Sequence, residues 1–281
     1  MASQEQMMHS IQTVIDDLMS RIMNRVLVED PFIKEVHRTK KPLYAALVPD
    51  EIFKGSHFER RFTTSFGGVW EKLAVVAANA GQGFGTTQYR VEGIVNQERL
   101  RRINQILNDL EHSKKNQKRD RPDWDRELNF ILEGKSSQAI PTTIICDVYV
   151  QNTTTNEKFV FELKAPLPNS DQTKVSKEKI LKLYSMEPMQ VNEAFFALPY
   201  NPYGRREDYI WNFPARWFNM KADPVVLIGD EFWEKIGGIG TYQAFINAVN
   251  DMGREYKERI YREFLGMEPP ETAFEGQLLG E

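Results

Sequence analysis

Residues 142–164 read TTIICDVYVQNTTTNEKFVFELK, and this stretch decides the fold. Two runs rich in β-branched and aromatic residues, 143–150 and 158–165, flank the polar loop 151–157, whose Asn and Thr residues favour a turn over a helix. The stretch predicts a β-hairpin. Alternation sorts its side chains, with Ile144, Cys146, Val148 and Val150 on one face of the first strand and Phe159, Phe161 and Leu163 on one face of the second. Those are core faces. The opposite faces carry Asp147 and then Glu162 and Lys164, so two carboxylates and one ammonium project to the same side of neighbouring strands.

Acidic groups in the middle of apolar strands cost free energy unless something pairs with them. From the residues alone, either a cross-strand salt bridge with Lys164 or a bound metal ion satisfies them. The pattern of Asp147, fourteen residues, then Glu162-Leu163-Lys164 on adjacent strands resembles the active site of the PD-(D/E)XK nuclease superfamily. The resemblance implies that Asp147 and Glu162, with the Leu163 carbonyl, hold Mg²⁺, for which Mn²⁺ substitutes. It gives Lys164 the task of orienting or activating the attacking water. Oxygen ligands suit Mg²⁺, a hard cation that keeps several waters for substrate phosphate to replace. A second Glu-x-Lys, Glu255-Tyr256-Lys257, lies in a helical stretch with no strand carrying an upstream Asp.

On the N-terminal side, Ile11, Val14, Ile15, Leu18, Met19, Ile22, Met23, Val26 and Leu27 keep helical spacing, a stripe that packs into the core or against a twin subunit. A second helix opens at Ser65 and runs to about Asn79. Its Glu71 shares a face with Val75 and Ala78, and Gly67 lies one turn before it. Gly67-x-x-x-Glu71 is similar to the helix that often supplies a further acid to PD-(D/E)XK sites, while an ion pair with Lys72 or Arg60 is the structural alternative. Gly81-Gln82-Gly83-Phe84-Gly85 lacks the strand and the Lys-Ser/Thr ending of a phosphate loop and reads as a flexible connection into a short run, 86–92. The run 113–121 holds five bases against one acid, which suits DNA or a solvated linker.

On the C-terminal side, prolines 166 and 168 break the strand. The spacing predicts a helix over 174–186, packed by Val175, Ile180, Leu181 and Leu183 or Tyr184, with Lys174, Lys177 and Lys182 polar. A strand over 194–198 follows, and a crossover of this length favours a parallel pair. Another strand over 225–228, a helix over 230–236 and a long helix over 242–265 complete the pattern. The expected fold class is α/β (α+β), a restriction-endonuclease-like mixed sheet flanked by helices. Immediately after the central strand, Asn201, Tyr203, Arg205 and Arg206 sit on one loop, with residue types that read bases or hold phosphate. Gln172 and Lys174 join them as candidate DNA contacts.

The segments 161–173, 197–204, 226–233 and 237–242 together resemble the TdeIII-type group of type II restriction endonucleases over roughly residues 60–265. This resemblance implies Mg²⁺-dependent cleavage of both strands of double-stranded DNA at a short palindrome, leaving 5′-phosphates. It also implies a homodimer, a cognate DNA methyltransferase as genetic partner, a place in a prokaryotic cytoplasm, and a GC-rich site with an unspecified centre. A repair or recombination nuclease of the same superfamily, or a non-catalytic DNA-binding protein of the same fold, are the alternatives. The expected organisation is one nuclease domain over 1–281, with a helical part at about 1–135, a catalytic core at about 136–265 and an acidic tail at 266–281.

Composition fits this reading. With 281 residues, 41 % of them hydrophobic and 27 % charged, the chain has the make-up of a globular protein, and no apolar run is long enough to span a bilayer. A net charge of −4 makes no global case for nucleic acid, so local basic patches matter more. The one cysteine, Cys146, excludes a disulfide framework and points to a reducing compartment. His9, His37, His57 and His112 lack the spacing of zinc ligands.

Overall fold

The computed structural model describes residues 4–81, 83–112 and 120–274. Its sheet consists of β1 (Gly83–Asn96), β2 (Ala139–Asn152), β3 (Lys158–Leu163), β4 (Glu193–Leu198) and β5 (Val226–Ile228), in that spatial order. The principal helices are α1 (Gln4–Asn24), α2 (Lys34–Lys40), α3 (Pro42–Leu47), α4 (Asp50–Phe66), α5 (Val69–Ala80), α6 (Gln97–Glu111), α7 (Trp124–Leu132), α8 (Ser170–Tyr184), α9 (Asp230–Gly237) and α10 (Thr241–Arg259).

The central hairpin forms because its loop closes on its own side chains. The Asn152 carboxamide oxygen accepts the N–H groups of Thr154 and Thr155 at 2.8 and 3.0 Å, and Asn156 adopts φ 61°, a left-handed conformation that Asn tolerates. β3 is buried along most of its length, as an apolar strand covered on both faces must be. The chain then leaves through α8, whose N-cap Asn169 accepts from Gln172 N–H at 2.8 Å, and returns as β4 parallel to β3. β5 adds a second parallel pair, whereas β1–β2 and β2–β3 are antiparallel. The mixed sheet flanked by helices is the fold class expected from the sequence.

The chain groups into two compact units, residues 74–242 and residues 4–73 with 243–274. The first holds the sheet and α6–α9, with Cys146, Val160, Ile180, Leu181, Phe196, Trp217 and Phe218 in its core. The second is helical. Its α1 buries Met7, Ile11, Ile15, Leu18, Met19, Ile22 and Met23, so the apolar stripe serves its own unit. Tyr256 on α10 ties to α1 through Asp16 Oδ1 at 2.6 Å and Ser20 Oγ at 2.8 Å, which fixes the second Glu-x-Lys stretch in a helix.

Two local readings change. The described glycines of the glycine-rich segment belong to packed structure: Gly83 and Gly85 open the fourteen-residue β1, and a Cβ on Gly83 would lie 2.2 Å from the Gln151 carbonyl oxygen. Gly81 likewise meets Gly237, where a Cβ would come within 2.0 Å of that carbonyl oxygen, so close backbone approach and not flexibility explains these glycines. On α8, Lys177 is fully buried and Val175 exposed, the reverse of the expected pattern. The Lys177 ammonium pairs with the buried Glu127 of α7 and donates to the Trp217 carbonyl at 2.5 Å, which compensates the burial of its charge. Most of the basic run 113–121 and the end of the acidic tail, residues 113–119 and 275–281, lie outside the described residues. Among the described residues, no helix is long and apolar enough to cross a membrane.

Candidate active site

The site begins where two strands part. β2 pairs with β1 down to Ala139↔Asn96, but with β3 only from Gln151↔Lys158 to Val148↔Phe161. Beyond that point the β2–β3 ladder stops, and side chains take the main-chain groups it leaves. The Leu163 N–H donates to Asp147 Oδ2 at 2.9 Å, and the Ile145 carbonyl accepts from Lys179 Nζ at 2.7 Å. On the other side of β2, pairing passes from Thr87↔Val148 to Tyr89↔Cys146, and Gln88 between them takes φ 52°.

Asp147, Glu162 and Lys164 meet in this fork, as the hairpin alternation required. Lys164 Nζ lies 2.6 Å from Asp147 Oδ2, 3.1 Å from the Leu163 carbonyl oxygen and 3.6 Å from Glu162 Oε2. A fourth member, Lys179 of α8, went unnoticed in the sequence. Its Nζ stands 2.8 and 3.0 Å from the two oxygens of Glu162. The available signal was its place in the helical period, next to the buried Ile180 and one turn after Ser176, on the side that packs against the sheet.

Glu162 is only 2 % exposed. Burial first, and then the neighbouring charge of Asp147, push its carboxyl up to about 7 against the pull of Lys164 and Lys179. Cys146, one residue before Asp147, is fully buried and its thiol is pushed up to about 12, chiefly by that burial, so it is no nucleophile.

The oxygens of Asp147, Leu163 and Glu162 all lie within 3.6 Å of one ammonium nitrogen, which shows that they converge on a point where a cation belongs. No cluster of three or more His, Cys, Asp or Glu residues that could hold a metal occurs among the described residues. A metal ion in the fork would draw two carboxylates and one carbonyl from the protein and the rest of its shell from water and phosphate. That donor set fits a hard divalent cation of the Mg²⁺ kind.

The other residues singled out from the sequence are placed as follows. Arg206 directs its guanidinium inward, to the carbonyls of Met220 and Asp223 at 2.8 and 2.7 Å and to both oxygens of Glu231 at 3.1 Å. Asn201 is buried and shapes its own loop, donating to the Gly204 and Arg205 carbonyls at 2.9 Å and accepting from Tyr203 N–H at 3.0 Å. Tyr203 packs edge-on against Tyr209. Lys174 pairs with Glu111 on α6 and lies over the Trp217 ring. Arg205 and Gln172 are exposed. Glu71 is half-buried on α5 in the helical unit.

Against known proteins, a family model described as "Type II restriction endonuclease, HinfI" matches residues 7–253, which takes in the whole sheet and every residue of the fork. The chain belongs to this family. Relatives of this chain include the type II restriction enzyme HgiBI of Herpetosiphon aurantiacus, 27 % identical over 235 residues that cover 80 % of this chain and 81 % of the relative. HgiCII of the same organism is 26 % identical over 229 residues, 80 % of this chain and 82 % of its own. The protein is thus a type II restriction endonuclease of the HinfI family, as the sequence indicated for its activity. HinfI-family enzymes, like type II restriction endonucleases generally, act on DNA and depend on a divalent metal.

Proposed function

We propose that the fork between β2 and β3 is the catalytic centre of a Mg²⁺-dependent endonuclease that hydrolyses both strands of duplex DNA at a short palindromic site. The observation that carries this reading is the convergence of Asp147, Glu162 and the Leu163 carbonyl on one cationic position, the place where the Lys164 ammonium stands. When bound there, Mg²⁺, or Mn²⁺ in its place, supplies positive charge to the scissile phosphate and its attacking water. Asp147 and Glu162 hold it, and the hydrogen bond from Leu163 N–H keeps Asp147 pointing into the fork. Lys164 orients the attacking water and offsets the charge that builds on the phosphate oxygens. Attack at phosphorus breaks the bond to the 3′ oxygen and leaves a 5′-phosphate.

Outside the fork, Arg205 and Gln172 are the exposed candidates for DNA contact. Asn201 and Arg206 hold the loop that presents Arg205. Two-fold symmetry of a palindrome calls for two forks, and hence for a homodimer in which each subunit cuts one strand. The helical unit exposes apolar side chains that suit such a contact: Val28, Leu43, Tyr44, Leu47 and Ile52 are each 57–73 % exposed within twenty-five residues. The α1 stripe is buried and plays no part in it. A DNA methyltransferase of the same specificity is the expected genetic partner, in the cytoplasm of a prokaryote.

Digestion of a sequenced plasmid tests the reading. Mg²⁺ should give discrete fragments with 5′-phosphate ends, abolished by chelation, whereas a smear of unrelated ends would point to a nuclease without a fixed site.

A further inference from the structure

The Lys179 ammonium has three hydrogens, and the structure gives each an acceptor: Glu162 Oε1 at 2.8 Å, Glu162 Oε2 at 3.0 Å and the Ile145 carbonyl at 2.7 Å. Both oxygens of the buried carboxylate are therefore engaged by one cation. Lys164 does not share this task, since it bonds Asp147 at 2.6 Å and stands 3.6 Å from Glu162. The fork thus holds two acidic and two basic side chains, each acid with its own ammonium partner.

We propose that Lys179 is a built-in competitor for the metal position, an internal counter-ion that a divalent cation must displace from Glu162 before it binds. The inference rests on the reading of Glu162 as a metal ligand. A divalent ion on Glu162 needs a carboxylate oxygen that Lys179 already occupies, and it meets a like charge at close range. Lys179 is able to yield because its side chain is 27 % exposed, at the end of a flexible stem on the surface of α8. An anion beside the fork stabilises the displaced ammonium, and the phosphate of bound DNA is such an anion. Metal and DNA then favour one another's binding through a single side chain, and little metal is held before DNA arrives.

Calorimetric titration of the full-length protein with Ca²⁺ alone, without DNA, tests this independently of cleavage. Lys179→Gln, which keeps a donor for the Ile145 carbonyl but removes the charge, should bind Ca²⁺ about tenfold tighter than the wild type or better. Lys179→Arg should stay near the wild-type value. Damage to the site's architecture moves affinity the other way, so tighter binding is not a trivial outcome. Should Lys179→Gln lower the melting temperature, Lys179→Met provides the same comparison. Unchanged or weaker Ca²⁺ binding in the charge-removing variants, with binding lost in Glu162→Ala, overturns the role of Lys179 and leaves the metal site standing. Undiminished Ca²⁺ binding in Glu162→Ala overturns the ligand reading itself.

Discussion

The carboxylate of Asp147 accepts the main-chain N–H of Leu163 at 2.9 Å, across the gap where β2 and β3 cease to pair. One side chain thereby completes the strand's hydrogen bonding and points an acid into the site. Asp147→Ala should abolish cleavage and also cost about 1–3 kcal/mol of stability, because a main-chain donor loses its partner. Asp147→Asn should abolish cleavage at a smaller cost in stability, since the amide oxygen still accepts. Plasmid cleavage and thermal melts of the two variants make the comparison.

Lys164→Ala should remove turnover while leaving DNA binding in Ca²⁺ within a few-fold of the wild type, because the ammonium acts on the water and the developing charge. Binding lost in step with cleavage would make Lys164 a phosphate holder. Gel-shift and cleavage assays on the same preparation distinguish the two.

Glu162 gives the metal-free protein a pH-dependent stability. Its carboxyl moves from an ordinary 4.5 to about 7 on folding, so between these values the folded state binds more protons than the unfolded state. The contribution of Glu162 to stability therefore falls as pH rises through this window, by an amount of order 3 kcal/mol, and is level on either side. Glu162→Gln should flatten the dependence. Urea unfolding in chelator from pH 4 to pH 8 measures it, and a wild-type slope of opposite sign would contradict the burial argument.

Neighbouring arginines should behave differently. Arg206→Ala removes the cation beside Glu231 and the donor to two carbonyls and should lower stability by about 2–3 kcal/mol. Arg205→Ala should leave stability unchanged within about 0.5 kcal/mol and weaken or relax DNA recognition by about 1–3 kcal/mol if it reads a base. Melting curves and digestion patterns of both variants separate framework from contact.

The hairpin and its Asp147, Glu162 and Lys164 were legible because strand alternation is local and a charge on an otherwise apolar strand stands out. The parallel return of β4 followed from the length of the α8 crossover. What stayed hidden depended on partners distant in sequence. Lys177 looked like a surface lysine because its compensating Glu127 lies on α7. Lys179 gained meaning only once α8 packed on the sheet beside Glu162. Arg206 read as an exposed loop arginine until Met220, Asp223 and Glu231 folded around it. The glycines around β1 suggested flexibility because a close approach of two backbones leaves no other trace in sequence.

Glu71 marks the limit of the sequence likeness, since a helical acid near Gly67 fits either a catalytic or a structural part. Glu71→Gln should cripple cleavage without lowering the melting temperature. Retained activity with lost stability would make Glu71 an ion-pair partner.

The most direct measurement is cleavage of a sequenced plasmid in Mg²⁺ by the wild type and by Glu162→Ala, with circular dichroism confirming that both are folded. The wild type should yield discrete fragments that chelation prevents, and Glu162→Ala should be slower by several orders of magnitude. Site-specific cleavage by folded Glu162→Ala at a rate near that of the wild type would contradict the assignment of the fork as the catalytic centre.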